Sequence, residues 1–275
     1  MQIREYSLPS GWYPRDSREA EMFLSKIDRN GPFSRAAVSP HAGWYYSGNV
    51  AALGAAGLEP QAATIAVIGG HLPAGSPPLF AMEDAVKTPF GPMPIDAQLR
   101  SVLQKELDGA EDRFRDNTVE VLLPMVRFFF PQADLLWLRL PAEISSFDAG
   151  KAISRAAAKL NRTVNVLGST DLTHYGPAYG FSPKGTGNAA LRWVREVNDA
   201  SFIEAVLAGN ADDVLLRAER DFCACSAGAV LGAMGFAHAE GLGGARLLRY
   251  ATSADREPSG EAPDSFVGYA SFAFG

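Results

Sequence analysis

Short, mostly hydrophobic runs recur along the chain, separated by segments in which apolar and polar positions alternate with helical spacing. Runs of this length that are apolar throughout are typical of strands buried on both faces of a sheet. The predicted strands cover residues 36–40, 64–69, 135–140, 164–169, 247–252 and 266–272. The predicted helices cover residues 17–28, 48–54, 97–107, 147–160, 187–207 and 227–240.

The alternation of strands and helices predicts the fold class. Strands separated by helices of this length indicate βαβ units, and hence a mostly parallel or mixed central sheet flanked by helices. The looser segments 73–78, 177–187 and 253–264 are interpreted as loop insertions, because no repeat or long linker divides the chain. We therefore predict a single-domain α/β sandwich over residues 1–275.

Composition narrows the function classes. The formal net charge of -6 disfavours nucleic-acid binding, which needs a basic surface. We expect neither a secretory signal nor a membrane span, because the N-terminus lacks a signal pattern and no apolar run approaches about 20 residues. Cys223 and Cys225 are too close in sequence to close a useful disulfide loop. Free thiols fit a cytoplasmic protein.

Chemistry-bearing residues follow three of the predicted strands. His41 follows the strand at 36–40, His71 the strand at 64–69, and Asp171 and His174 the strand at 164–169. The carboxyl ends of parallel strands meet at one edge of a sheet, so we expect these side chains to share a site. The remaining histidine, His238, lies late in a predicted helix and is expected at the surface without a chemical role.

The residue types at this edge suit a metal ion. Imidazole nitrogens bind iron, copper or zinc, and such ions often complete their shell with a carboxylate or a thiolate. Cys225 precedes a predicted helix, whose dipole favours a thiolate that acts as a ligand or a nucleophile. Cys223 fits a buried core residue better. Asp171 is the carboxylate candidate, with capping of a following helical turn as the alternative.

Further residues are candidates for a pocket. Trp12, Trp44 and Tyr46 lie near the site in sequence and either line a pocket for a planar ligand or pack in the core. Glu120 lies in an apolar stretch, so it is either paired structurally or faces the site. The chain has no Walker-type phosphate loop and no G-x-S-x-G elbow, which argues against those two chemistries.

An ordered set of short motifs runs almost from end to end. The segments are SGWYP at 10–14, SPHAGWYYSG at 39–48, TPFG at 88–91, ID at 95–96, STDLTHYG at 169–176, ACSAGAV at 224–230, YATSAD at 250–255 and VGYA at 267–270. In this order they resemble the Memo-like family, also known as the B component of the AmmeMemoRadiSam system.

The resemblance carries expectations about fold and chemistry. The family is similar in fold to the class III extradiol dioxygenases, which carry non-haem iron. It implies His41, His71 and Cys225 as ligands of iron or copper, with Asp171 and His174 as catalytic residues. Cys225 departs from the dioxygenases, in which a glutamate completes the metal shell. The resemblance also implies a small-molecule or peptide ligand and a radical-SAM companion protein.

The chain departs from the family pattern at two segments. Around Gly70-His71-Leu72 the serine and the second histidine of the family's G-P-S-H-H segment are missing. Where the family usually reads H-S-x-E-x-H-L-P, residues 117–124 read NTVEVLLP, so Asn117 and Leu122 replace two histidines while Glu120 remains. Three hypotheses therefore stand. The first is a metal-dependent redox or dioxygenase-like protein, and the second is a non-catalytic module that binds a peptide or ligand in the same pocket. The third is a thiol hydrolase or transferase with Cys225 as nucleophile and His174 as base.

Overall fold

The computed structural model describes residues 1–257 and 261–275, so part of the predicted loop at 253–264 lies outside the described residues. The strands are β1 (Ile3–Arg4), β2 (Ala36–Ser39), β3 (Thr64–Leu72), β4 (Leu79–Phe80), β5 (Ala85–Val86), β6 (Met93–Pro94), β7 (Ala110–Glu111), β8 (Asp134–Pro141), β9 (Val164–Ser169), β10 (His174–Tyr175), β11 (Ala245–Thr252) and β12 (Phe266–Phe274). The helices are α1 (Ser17–Leu24), α2 (Trp44–Ala56), α3 (Ala97–Glu106), α4 (Asn117–Glu120), α5 (Leu123–Phe129), α6 (Ser145–Lys159), α7 (Asn188–Trp193), α8 (Asp199–Leu207), α9 (Ala211–Asp221) and α10 (Ala227–Ala239).

The main sheet is mixed. Its strand order is β10-β12-β2-β9-β3-β8-β4-β7, with β11 pairing to β12. The central strands β2, β9, β3 and β8 run parallel, whereas β12 is antiparallel to β2 and β4 is antiparallel to β8. The predicted fold class, a mixed central sheet flanked by helices, is confirmed. All six predicted strands are present, as β2, β3, β8, β9, β11 and β12.

Helices cover both faces of the sheet, which explains the apolar runs. Along β3 the side chains alternate between two cores, with Ile65 and Val67 on one face and Ala66 and Ile68 on the other. Because a strand between two helical layers has no solvent-facing side, its sequence shows no polar alternation. Helices α6 and α10 pack against the Ile68 face, and α2 and α5 pack on the opposite face.

Three predicted helices differ in detail, and the one predicted at 17–28 ends at Leu24. The helix predicted at 187–207 is broken into α7 and α8 by a π-helical turn at Val194–Asn198, a feature that periodicity alone does not reveal. The helix predicted at 48–54 begins earlier, at Trp44. Helix α9 was not predicted, although it carries an Asn210 cap. None of the described helices is both long and apolar enough to cross a membrane.

Candidate metal centre and ligand chamber

The predicted residues arrive at one edge of the sheet from separate segments. Parallel strands β2, β3 and β9 end at this edge, and they bring His41, His71 and Asp171 to it. Cys225 comes from the turn that leads into α10, two residues before the helix begins. The ligand atoms of His41, His71 and Cys225 all lie within 4.8 Å of one another.

His41 is enclosed by hydrogen bonds. Its side chain is 1% exposed, its Nδ1 lies 2.8 Å from Ser169 Oγ, and its Nε2 lies 3.2 Å from Cys225 Sγ. Its backbone N–H donates to Asp171 Oδ1 at 2.7 Å. The ring is therefore held in one orientation with Nε2 directed at the thiol.

His71 is the more open of the two rings, with its side chain about 34% exposed. It stands perpendicular to His41, with 5.0 Å between ring centroids. Its Nδ1 lies 3.0 Å from Asp116 Oδ2, and because a carboxylate only accepts, Nδ1 carries the proton. Its backbone is in the left-handed region at φ 56°. Gly70 precedes it where a Cβ would lie 2.4 Å from Ser226 Cβ.

The site favours charge separation. Burial opposes ionisation of Cys225, but His41 and His71 together hold the pKa of its thiol well below the usual value. Burial likewise opposes protonation of His41, yet the Cys225 thiolate and the Asp171 carboxylate raise the pKa of its imidazole. The pKa of His71 is raised to about 10, because Asp116 and Cys225 outweigh burial. These interactions favour the thiolate form of Cys225 and the protonated forms of the two imidazoles.

These residues could hold a metal ion. Two imidazole nitrogens and a thiolate are donor types that bind transition metals. The hydrogen bond from His71 Nδ1 to Asp116 is the carboxylate–histidine arrangement that orients metal-binding imidazoles. A metal ion would displace the protons that the thiolate and the two Nε2 atoms share.

Asp171 does not cap a helical turn. Leu172 and Thr173 after it are not helical and lead into β10. Asp171 Oδ1 instead accepts the backbone N–H groups of His41 and Ala42 at 2.7 and 3.2 Å. Its Oδ2 lies 3.9 Å from His41 Nε2. Asp171 thus fixes the loop that carries His41, and burial raises the pKa of its carboxyl. The capping alternative is wrong for this residue.

His174 lines the same chamber as His41 and His71, and among the described residues no hydrogen bond joins it to Cys225. The chamber has a volume of about 730 Å³ and is lined by His41, His71, Asp171 and His174. His174 Nδ1 donates to the Leu172 carbonyl at 3.1 Å, which leaves Nε2 as its proton acceptor. Cys225 Sγ instead lies 3.2 Å from His41 Nε2, so the predicted pairing of Cys225 with a His174 base is not what the structure has.

The proposed pocket residues separate into two groups. Trp12 and Tyr46 line the chamber together with Asn117, Tyr179 and Tyr269. Trp44 is instead 3% exposed, belongs to the apolar core and donates its indole N–H to the Val121 carbonyl at 3.0 Å. Trp44 also borders a neighbouring groove rather than this chamber.

Glu120 is paired structurally and lies outside the chamber. Its carboxylate accepts hydrogen bonds from Ser7 and Leu8 and from the Tyr13 hydroxyl at 2.8 Å, and Arg15 lies 3.8 Å away. Because all these partners come from the N-terminal segment, the carboxylate fixes that segment and does not face a ligand.

Other sequence expectations can be placed directly. Asn117 donates its side-chain amide to the His41 carbonyl at 3.0 Å, and Leu122 is buried in the core. Cys223 is buried and apolar in its contacts, as predicted, and burial raises the pKa of its thiol. His238 lies exposed in the last turn of α10 against Phe147, also as predicted.

Sequence reasoning missed Asp116, Ser169 and Arg139. Asp116 and Ser169 each hold one of the two histidine rings. The overlooked sequence feature was Arg139, the one charge within the predicted strand at 135–140. A charged side chain in a strand covered on both faces requires buried partners.

Comparison with known proteins agrees with the motifs. The family model described as "Memo-like protein" matches residues 4–273. The chain belongs to the Memo-like family.

Curated relatives cover the Memo-like chain from end to end. A MEMO1 family protein of Pyrobaculum arsenaticum is 27% identical over 300 residues, spanning 100% of this chain and 99% of the relative. One from Thermococcus onnurineus is 29% identical and spans 99% of both chains. A crystal structure of an uncharacterized Escherichia coli K12 protein aligns with 93% of this chain and 91% of its own, at 11% identity and a TM-score of 0.44.

The Memo-like protein buries a carboxyl group, Asp199, at the start of α8. Asp199 accepts from the Thr173 N–H at 3.1 Å, from the Thr173 hydroxyl and from the Tyr250 hydroxyl at 2.7 Å. No ion pair reaches Asp199 from the described residues. Burial raises its pKa to about 6, although the hydrogen bonds oppose the rise.

This carboxyl should make stability depend on pH. The Asp199 carboxyl binds its proton below about pH 6 in the folded state, but only below its ordinary pKa of 3.8 in the unfolded state. The folded state therefore loses stability as pH rises from about 4 to 6, by up to about 3 kcal/mol. We expect Asp199→Asn to remove this component, measured as the pH-dependent difference in unfolding free energy between the two proteins.

A second variant checks the assignment. Tyr250→Phe removes a hydrogen bond that lowers the Asp199 pKa, so the same transition should move to higher pH. Parallel pH profiles for the wild type and Asp199→Asn would contradict the prediction.

Proposed function

We propose that this Memo-like protein binds iron or copper through His41, His71 and Cys225 and carries out redox or dioxygenase-like chemistry on a ligand in the adjoining chamber. The observation that carries the proposal is the convergence of two imidazoles and one thiolate within 4.8 Å. Their orientation by Ser169 and Asp116 supports it further. The bound metal would supply one-electron redox chemistry.

The protein's own residues would then act around that centre. Asp171 holds the loop that carries His41. His174 is the acid/base candidate, because its Nδ1 is committed to the Leu172 carbonyl and its Nε2 is left to exchange a proton with a chamber ligand. The hydroxyl groups of Tyr46, Tyr179 and Tyr269 offer further hydrogen bonds.

The chamber suits a small molecule or a side chain of a peptide. Its volume of about 730 Å³ lies within the range of small-molecule sites. Aromatic rings of Trp12, Tyr46 and Tyr179 line it, and no lysine or arginine does so among the described residues. With a metal bound, His41 and His71 would be neutral, whereas the carboxylates of Asp171 and Glu257 also line the chamber. A neutral or cationic aromatic ligand therefore fits better than an anionic one. A radical-SAM companion protein and a cytoplasmic location belong to the same proposal, and both cysteines are free thiols.

The experiment is metal analysis of protein purified anaerobically without affinity-tag metals, followed by oxygen consumption with matched phenols. We expect near-stoichiometric iron or copper. Tyramine should also support more oxygen consumption than 4-hydroxyphenylacetate, which is similar in size but negatively charged. A protein that binds neither added iron nor added copper would overturn the proposal and favour the non-catalytic binding module.

A second candidate rests on the distance of 3.2 Å between Cys225 Sγ and His41 Nε2, which is that of an activated thiol. The pair would make Cys225 a nucleophile in a hydrolase or transferase. However, the backbone N–H of Cys225 donates to the Asp171 carbonyl, and that of Ser226 donates to Thr170 Oγ1. Both groups are thus unavailable to stabilise an oxyanion. Hydrolysis of test thioesters by chelator-treated protein would favour this candidate.

A further inference from the structure

We propose that Arg139 is a positioning residue that sets the orientation of His71 and thereby the affinity of the metal centre. The inference rests on the proposed function for its metal-binding consequence. The geometric part concerns residues of this chain alone, since Arg139 contacts both the backbone before His71 and the carboxylate that holds its ring.

Arg139 lies within β8 and is 3% exposed. Its Nε donates to the Gly70 carbonyl at 2.9 Å. Its two terminal nitrogens reach different carboxylates, with Nη2 3.2 Å from Asp116 Oδ2 and Nη1 3.3 Å from Asp112 Oδ1. One planar guanidinium thus joins three acceptors, one in strand β3 and two in the segment between β7 and α4.

Two of these acceptors control His71. Asp116 Oδ2, which accepts from Arg139, is also the oxygen that accepts from His71 Nδ1 at 3.0 Å. The Gly70 carbonyl belongs to the peptide unit directly before His71. The φ of His71, 56°, lies in the strained left-handed region, which persists only when neighbouring contacts stabilise it. Arg139 therefore fixes the ring at one end and the backbone at the other.

The third acceptor anchors the arginine. Asp112 is 1% exposed and also accepts from the Trp137 indole at 2.8 Å, with Arg4 Nη2 3.9 Å away. Because β8 is rigid and covered on both faces, the guanidinium is held where it meets Asp116. Lysine has no planar fork and cannot satisfy all three acceptors together.

The chain offers a matched control in Arg4. Arg4 is also largely buried and lies near Asp112, but it contacts neither Asp116 nor Gly70. We compare Arg139→Lys with Arg4→Lys, using circular dichroism to check folding. The first readout is the dissociation constant for Cu(II) or Fe(II), and the second is the ¹⁵N signals of the His71 ring in metal-free protein.

We expect Arg139→Lys to weaken metal binding roughly 10- to 100-fold, the range for residues that orient metal ligands. We also expect it to alter the His71 ring signals without metal, whereas Arg4→Lys changes neither readout. Arg139→Lys and Arg4→Lys with equal affinities and unchanged His71 signals would overturn the inference.

Two further outcomes separate the proposals. Wild-type protein that binds no metal, while Arg139→Lys still shifts the His71 signals, would overturn the proposed function and support the positioning role. If Arg139→Lys does not fold, hydrogen exchange of the Arg139 Nε–H in the wild type decides. A slowly exchanging proton supports the hydrogen bond to Gly70, and a rapidly exchanging one overturns it.

Discussion

Replacement of Cys225 by serine is expected to abolish stoichiometric binding of iron or copper, with at least a 100-fold loss of affinity. The thiolate is the one anionic donor of the three, and it lies 3.2 Å from His41 Nε2. A serine hydroxyl is not ionised at neutral pH, so the variant keeps the shape of the site but loses its charge and its soft donor. The measurement is metal content per chain together with a competition assay for affinity.

A spectroscopic readout makes the test specific. Cu(II) bound to a thiolate gives a sulfur-to-copper charge-transfer band, which should be present in the wild type and absent in Cys225→Ser. The matched control is Cys223→Ala, two residues away, where the thiol is buried in the apolar core. That variant should keep both the band and the metal. Retention of both in Cys225→Ser would rule out Cys225 as a ligand.

Gly235→Ala is expected to lower the free energy of unfolding by about 2 to 3 kcal/mol, because it forces apart two packed helices. Gly235 lies in α10, where an added Cβ would stand 1.8 Å from the Phe147 carbonyl oxygen of α6. That neighbour is backbone and cannot rotate away. Intrinsic helix propensity favours alanine over glycine by about 1 kcal/mol, so the expected loss of stability is opposite in sign to the effect of propensity alone. Denaturant unfolding measures the difference.

Gly244→Ala is the matched control. Nothing lies within 4 Å of a Cβ built on Gly244, and its φ is not in the left-handed region. The free energy of unfolding of the Gly244→Ala variant should therefore stay near that of the wild type or rise slightly, since alanine restricts the unfolded chain more than glycine does. Equal effects of the two substitutions would show that the contact between α6 and α10 is not as close as described.

Metal loss and helix packing are linked through α10. The helix begins directly after Cys225 and Ser226. It packs against β3, which contains His71, and against β9, which precedes Asp171. Gly235→Ala acts at the far end of this helix, so its effect on metal affinity should be smaller than its effect on stability. Cys225→Ser should show the reverse pattern.

Local patterns in the sequence were sufficient to predict the framework of the fold. The runs that became β2, β3, β8 and β9 are apolar because both of their faces are covered, and this property is visible in a few consecutive residues. Since parallel strands end at a common edge, His41, His71 and Asp171 could be expected to meet there. The position of Cys225 just before α10 could likewise be predicted from neighbouring residues alone.

Only the tertiary structure decided which groups pair within the site. Cys225 contacts His41, 184 positions away in sequence, and not His174. Glu120 accepts hydrogen bonds from Ser7 and Tyr13 of the N-terminal segment and therefore lies outside the chamber. Arg139 contacts the Asp116 carboxylate and the Gly70 carbonyl, both of which lie far from it in sequence.

The physical reason for this division is the range of the forces involved. Burial and backbone propensity act through near neighbours along the chain, so they leave a periodic pattern that can be read directly. Hydrogen bonds and ion pairs depend on ångström-scale distances between segments far apart in sequence, and these distances follow from how the helices pack on the sheet. The sequence by itself therefore determined the strands and the edge at which the site lies, and packing decided the partners of each side chain there.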